Sequence, residues 1–324
     1  MSGKIGAAFV LGAGLGTRLR PLTEARPKPL VPIVHKPLIT FAFDHLHAFG
    51  IRRFVVNTHH CPAAYDTLLG AKNGKAEYRR CQVILRHEPE LLDTGGGIAN
   101  VRESMGNSPF LVHNGDVLAD LPLDRLIERH FADSNVATLG LRSSGGPLQV
   151  QCDVPTGRVT DIRGGRGNRM EPAFLFTGIY LLSPEIFRHM PADRIFSIVP
   201  VFLDLLRSGA KVGGVVMDEG LWFDLGTRAS YLEAHRMFLA GKHSLSYPLD
   251  RPWPLPIHPS AKIAPNARLN DLCAVGPDAE IASGAHLTNC IVWENAKIAS
   301  RTILKDCIVR DGRRAEGTHS NADL

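Results

Sequence analysis

From residue 257 the chain repeats with a period of six. Ile257, Ile263, Leu269, Val275, Ile281 and Leu287 are branched aliphatics at unbroken six-residue spacing. Ala261, Ala267, Cys273, Ala279, Ala285 and Ile291 follow them at a constant offset of four, and five of these are small. That period matches neither the 3.6 of a helix nor the 2 of a hairpin. It predicts a short left-handed parallel β-helix: each hexad forms one strand, its aliphatic points into a narrow interior, and the small residue sits near a corner. After Leu287 the register slips. Trp293 holds the slot, then Ile298 and Leu304 recur one place early. The reading is about three coils over 257–310, then a polar, frayed tail over 311–324.

Upstream the pattern changes to apolar runs alternating with amphipathic segments, the mark of α/β architecture. Ile5–Leu11, Phe54–Asn57, Val83–Leu85, Phe110–His113 and Val136–Leu141 read as strands, mostly buried on both faces. Leu38–Phe49, Gly97–Met105, Leu123–Phe131, Phe196–Arg207 and Thr227–Ala240 read as helices. Gln149–Tyr180 reads as a β-rich insertion, and Gly213–Asp224 as further strands. Prolines at 248, 252, 254 and 256 make residues 241–256 an extended linker. The expectation is therefore a Rossmann-like, mostly parallel mixed sheet over 1–240, joined through that linker to the β-helix.

Composition narrows the class. A chain of 324 residues with 44% hydrophobic and 21% charged residues is neither disordered nor fibrous. No apolar run approaches the roughly 18 residues that cross a bilayer. Six cysteines without a C-x-x-C pair suit reduced thiols in a cytoplasmic protein. A net charge of +5 is too small to argue for nucleic acid. Its distribution says more: Arg18, Arg20, Arg26, Lys28 and Lys36 face one acid, Glu24, over residues 17–36. A basic segment beside glycines suits a small polyphosphate.

The glycines lie in Leu11-Gly-Ala-Gly-Leu-Gly-Thr-Arg18, closing the first strand. They leave backbone N–H groups open to phosphate oxygens. A dinucleotide loop needs G-x-G-x-x-G, which Thr17 breaks; a P-loop ends in G-K-[ST], and here the end is Gly16-Thr17-Arg18. The remaining reading pairs the loop with Arg18 and Lys28 as cations for a triphosphate and its leaving group. Other constellations carry less. His59-His60 beside Cys61 lacks further ligands at metal spacing and reads as a strand-end surface pair. Arg158, Arg163, Arg166 and Arg169 read as a solvated loop.

G-x-G-x-R-L-x-P-L-T followed by P-K-P-L resembles the signature of the sugar-1-phosphate nucleotidyltransferases, or nucleotide-sugar pyrophosphorylases. The likeness continues through Asp93-Thr-Gly-Gly-Gly-Ile98, Asn114-Gly-Asp-Val117, Thr177-Gly-Ile179 and Trp222-Phe-Asp-Leu-Gly-Thr227, in the family's order. Members with a carboxy-terminal hexapeptide β-helix extend it over nearly the whole chain. The resemblance implies that Leu11, Gly12, Ala13, Gly14, Gly16, Thr17 and Arg18 hold base and triphosphate, with Thr94 and Gly95. Lys28 would contact the sugar phosphate and the α-phosphate. Asp116 and Asp224 would hold Mg²⁺, which takes one or two carboxylates plus phosphates. Asn114, Thr177, Gly178 and Glu171, the last in a degraded E-K-P motif, would face the sugar phosphate.

The implied reaction is in-line attack of a sugar 1-phosphate oxygen on the nucleotide α-phosphorus. The nucleophile is already anionic, so none of the 14 histidines is needed as a base. Glu88, six residues before Thr94, would face the base edge; an acceptor-only carboxylate suits guanine. Gly12-Ala13-Gly14 and the D-T-G-G-G-I stretch instead resemble uridylyltransferases, most of all those acting on N-acetylmuramate 1-phosphate. UTP is favoured, with a mannose- or heptose-1-phosphate guanylyltransferase as the alternative. An inactive regulatory or scaffolding subunit is a different class, opposed by intact Arg18, Lys28, Asp116 and Asp224. An acyltransferase β-helix is opposed by its few coils. The expected partners are an NTP, a sugar 1-phosphate and further copies of the chain, associating through the β-helix.

Overall fold

Burial of the first strand sets the architecture. In β1 (Ala8–Leu11), Ala8, Phe9 and Val10 have no exposed surface. Phe9 packs with Val55, Phe110 and Val112 on one side of a sheet, while Ala8 and Val10 pack with Phe54, Val56 and Leu111 on the other. A strand apolar on both faces belongs at the centre of a sheet covered twice. The structure, a computed structural model, describes residues 5–167, 172–191 and 194–324. Its ten-stranded sheet runs Val150–Asp153, Arg158–Ile162, Val212–Val216, Ala137–Arg142, Ala173–Leu182, Phe110–Asn114, Ala8–Leu11, Arg53–Thr58, Cys81–His87, Lys75–Tyr78. The four strands from Phe110–Asn114 to Cys81–His87 are parallel, and antiparallel pairs flank them. Helices α1 (Leu38–Ala48), α2 (Pro62–Leu69) and α3 (Asp93–Asn100) lie among the connections; α2 and the edge strand Lys75–Tyr78 are additions to the expected elements.

Parallel strands bring their carboxyl ends to one edge. Register places Leu11 opposite both Asn57 and Asn114, so three chain turns leave the sheet from one row. Ligands of open α/β sheets bind at such an edge.

The helix expected from Gly97 starts earlier, at Asp93. Its glycines serve close packing rather than bending. Gly95 and Gly96 donate to the Phe196 carbonyl at 2.9 and 3.0 Å, and a Cβ on Gly96 would lie 2.1 Å from the Arg194 carbonyl oxygen. Tertiary contact has overridden poor helix propensity.

No regular element occupies residues 241–256, yet Tyr247 is buried and Trp253 packs against Phe41 and Phe238. Beyond it a parallel β-helix forms. Ile263, Ile281 and Ile298 stack in one sheet, Leu269, Leu287 and Leu304 in a second, Val275 and Val292 in a third. Two expectations are corrected here. Val292, not Trp293, takes the inward slot opposite Val275. The side after Leu287 is one residue shorter, and Trp293 turns out toward the α/β part, where its Nε1 donates to the Tyr231 hydroxyl at 3.0 Å. The tail is also not frayed. Arg314–Ala315 and Thr318–Ser320 add a fourth strand to two of the sheets, and Leu324 N donates to the Ile308 carbonyl at 2.8 Å. Backbone pairing with the coil beneath holds this polar sequence, a contact that composition does not reveal.

The β-helix is docked. Ala274, Ile291, Ile308 and Trp293 join Phe41, Tyr231 and Phe238 in one buried cluster, while Val275, Val292 and Val309 fill the solenoid interior. Alternation along the third sheet therefore serves two cores at once.

Candidate active site

The glycine loop is tied down at each turn. Gly12 N donates to Asn57 Oδ1 at 2.7 Å, and the Gly12 carbonyl accepts from the Tyr65 hydroxyl at 2.8 Å. A Cβ at Gly12 would stand 2.6 Å from the Asn57 carbonyl oxygen, so only glycine fits. Gly16, at φ +61°, opens the turn Thr17–Leu19, and its carbonyl accepts from Thr23 Oγ1 at 2.8 Å. Gly14 has open space around it, leaving its backbone available to a ligand.

Charged residues converge at the edge. The prolines on either side of Lys28 make its segment stiff, and the side chain is 5% exposed. Its Nζ donates to Asp116 Oδ2 at 2.8 Å and to Asp224 Oδ1 at 3.1 Å. Asp116 follows the strand Phe110–Asn114, and Asp224 ends a strand paired with Val117–Asp120. Arg18 Nη2 stands 3.7 Å from Asp224 Oδ2 and its side chain is largely exposed. Both carboxylates keep solvent access, so together they can hold a hard cation through oxygen. Among the described residues no group of three or more His, Cys, Asp or Glu side chains is arranged around a metal position.

Two cavities meet here. One, of about 440 Å³, is lined by Leu11, Ala13, Gly14, Gly16, Lys28, Asn57, Asp93, Thr94, Asn114 and Asp116. The other, of about 610 Å³, includes Arg18, Thr177, Gly178, Trp222 and Asp224, and shares Asp93, Thr94, Asn114 and Asp116 with the first. Gly178, at φ +75°, lies so close to Asn114 that a Cβ would approach its Nδ2 to 2.4 Å. Thr17 starts the short turn beside the loop, and Gly95 is buried against Phe196 rather than lining either cavity. Glu171 and Arg169 lie outside the described residues. Arg163 lines the larger cavity, with its Nε donating to Gln149 Oε1 at 2.8 Å.

Glu88 departs from expectation. It is completely buried, its Oε1 accepting from Asn57 Nδ2 at 2.9 Å and its Oε2 from Leu92 N at 3.3 Å. Burial pushes its carboxyl above the usual range, partly opposed by those two hydrogen bonds. Glu88 thus orients Asn57, which in turn orients Gly12, and it lines neither cavity. His59 and His60 are braces as well, donating to the carbonyls of Glu88 and Thr23, each at 2.8 Å. Sequence reasoning missed Asn57 and Tyr65; a polar residue ending an apolar strand run was the available signal for Asn57.

The family model described as nucleotidyl transferase matches residues 7–241, and that of the GMPPB C-terminal domain matches 253–318. A mannose-1-phosphate guanylyltransferase of Mycobacterium tuberculosis is 30% identical, aligning over 89% of this chain and 79% of its own. An N-acetylmuramate alpha-1-phosphate uridylyltransferase of Caulobacter vibrioides is 32% identical over 70% of this chain and 94% of its own. A UDP-glucose pyrophosphorylase structure from Acinetobacter baumanii shares the fold, with a TM-score of 0.62 at 21% identity, over 73% of this chain and 94% of that one.

Proposed function

The chain belongs to the nucleotidyl transferase family, and from that premise we propose that it transfers a nucleotidyl group from UTP to a sugar 1-phosphate, releasing pyrophosphate. The observation that carries the reading is the meeting of two cavities at Asn114 and Asp116, beside a lysine held between two carboxylates. The glycine-loop cavity takes the nucleotide and the larger one the sugar. Arg18, largely exposed, and Lys28, buried between two carboxylates, flank the point where the phosphates adjoin. A sugar phosphate oxygen bonds to the α-phosphorus as the bond to the bridging oxygen of pyrophosphate breaks. No proton has to leave the nucleophile. This chain contributes alignment and cationic charge opposite the phosphoryl oxygens. Asp116 and Asp224 would hold Mg²⁺, which when bound neutralises phosphate charge.

GTP is the second reading. It is favoured by the mannose-1-phosphate guanylyltransferase that aligns over 89% of the chain. UTP rests on the Gly12-Ala13-Gly14 loop and on the D-T-G-G-G-I stretch. The test is pyrophosphate release from UTP, GTP, CTP and dTTP against a panel of sugar 1-phosphates, with Lys28→Ala alongside. We expect UTP to lead, Mg²⁺ to be required, and Lys28→Ala to lose about a hundredfold or more. A clear preference for GTP with mannose 1-phosphate overturns the uridylyl reading, and full release by Lys28→Ala overturns the site. Self-association through the open first coil, where Ile257 is 43% exposed, belongs to the same reading and is measured by sedimentation.

A further inference from the structure

The lysine between the carboxylates does not stand on the α/β part alone. Arg26, two residues before it, reaches across to the β-helix. Its Nη2 donates to Glu294 Oε1 at 2.6 Å and to Asp311 Oδ2 at 3.1 Å, and its guanidinium lies 5.2 Å from the Trp293 ring centroid. The side chain is 18% exposed, so these contacts are partly desolvated. Trp293 also reaches the other side of Lys28. Its Nε1 donates to the Tyr231 hydroxyl at 3.0 Å, and that hydroxyl donates to the Pro32 carbonyl at 2.6 Å. Farther upstream, Arg310 Nη1 donates to the Pro21 carbonyl and to Glu24, each at 3.1 Å.

The stretch between these anchors is stiff. Pro27 and Pro29 fix φ on both sides of Lys28, and Lys28–Leu30 forms a single turn. A displacement at Arg26 therefore moves the Lys28 Cα rather than being absorbed along the way. A shift of about 1 Å in a group that aligns reacting atoms costs on the order of a hundredfold in rate.

We propose that Arg26 is a positioning residue for Lys28, held by Trp293, Glu294 and Asp311, so that the β-helix is a working part of the active centre. This rests on the nucleotidyl-transfer reading for its kinetic consequence, but not for its structural one. The roles differ from those already assigned: Arg26 touches neither cavity wall that the two substrates would share, and acts only through the segment that it holds. A guanidinium whose Nη2 is shared by two carboxylates while its carbon lies over an indole is restrained in orientation as well as distance.

The experiment uses the full chain as Arg26→Gln, Arg26→Lys and the double variant Glu294→Gln/Asp311→Asn. The acids are 36% and 42% exposed, so the double variant keeps its fold even where Arg26→Gln fails to. Amide hydrogen exchange reports residues 16–32, and steady-state kinetics report kcat and KM per folded molecule. We expect exchange in that segment to rise about tenfold or more, kcat to fall by about tenfold or more, and KM for both substrates to change far less. Arg26→Lys should recover part of the rate. A merely structural contact would lower Tm and folded fraction while kcat per folded molecule held. Unchanged exchange, or kcat within about twofold of wild type at an intact fold, overturns the proposal. Absence of turnover in the wild type on every substrate pair defeats the functional reading instead; exchange alone then decides whether the β-helix orders the Lys28 segment.

Discussion

At the scale of single residues, the site is built from groups that hold other groups. Glu88 is the clearest case, because its carboxylate is spent on Asn57 and on the Leu92 N–H. Replacing it by Gln leaves one acceptor where two are used, since the new amide N–H₂ must face either Asn57 Nδ2 or Leu92 N. The loss of one buried hydrogen bond costs about 1–2 kcal/mol. For a chain of this size that is a fall of about 2–4 °C in Tm. The ratio of UTP to GTP turnover should stay within about twofold of wild type, the outcome expected of a brace that lines neither cavity. Thermal melting and competitive turnover of the two nucleotides check both statements, and a tenfold change in the ratio would restore Glu88 to the base edge. The lesson about legibility lies at this scale. Arg18 and Lys28 could be picked from the sequence as cations beside a glycine turn, and Asp116 and Asp224 from the family resemblance; the fold brings all four together. Asn57 left only the trace of a polar residue ending an apolar run, and Tyr65 and Arg26 left none, because their contacts exist only once strand register and docking bring distant segments together.

At the scale of elements, the hexad pattern showed the solenoid but misjudged its end. A period can be read wherever the same contact recurs, and each coil offers its aliphatic to the same interior. Choosing between the neighbouring Val292 and Trp293 needs the length of one corner, and ordering the tail needs the coil beneath it; neither is a periodic property. The last coil does measurable work. Removing residues 311–324 would uncover Leu304 and Val309, each at most 1% exposed and packed in the cluster that Ala315, Ala322 and Leu324 join. It would also delete Asp323, whose Oδ1 accepts from Arg228 Nε at 2.7 Å, and Asp311 beneath Arg26. Each uncovered aliphatic is worth about 1.5–3 kcal/mol, so the truncated chain should melt several degrees lower and expose a new sheet edge to aggregation. A frayed tail would leave the melting curve where it was. Calorimetry and light scattering on the truncated protein separate the two.

At the scale of the whole molecule, stability and activity should share one acid limit. Four histidines are buried away from cationic roles. Burial holds His45 and His130 down to about 4, and His113 and His235 down to about 3. His113 also feels His45, its ring 6.1 Å away, and the His45 Nδ1 and His113 Nε2 atoms have no hydrogen-bond partner. In the unfolded chain each ring takes a proton near pH 6.5, whereas the folded chain refuses it until well below pH 5. The unfolded state therefore binds more protons over that window, and stability falls as pH drops from about 6.5 toward 4. Each ring withdraws about 1.4 kcal/mol per pH unit there, so Tm should fall by about 10 °C or more between pH 7.5 and 5.5. His113 adjoins Asn114 in the row where the two cavities meet, so the same protons that unfold the sheet dismantle the site. The proposed transfer needs no histidine as a base, so the acid limb of activity should coincide with loss of the folded signal instead of following the titration of one group. Circular dichroism and turnover recorded on the same samples decide it. A flat Tm across that range, or activity lost while the fold persists, would show that a titrating group in the site, and not the buried rings, sets the limit.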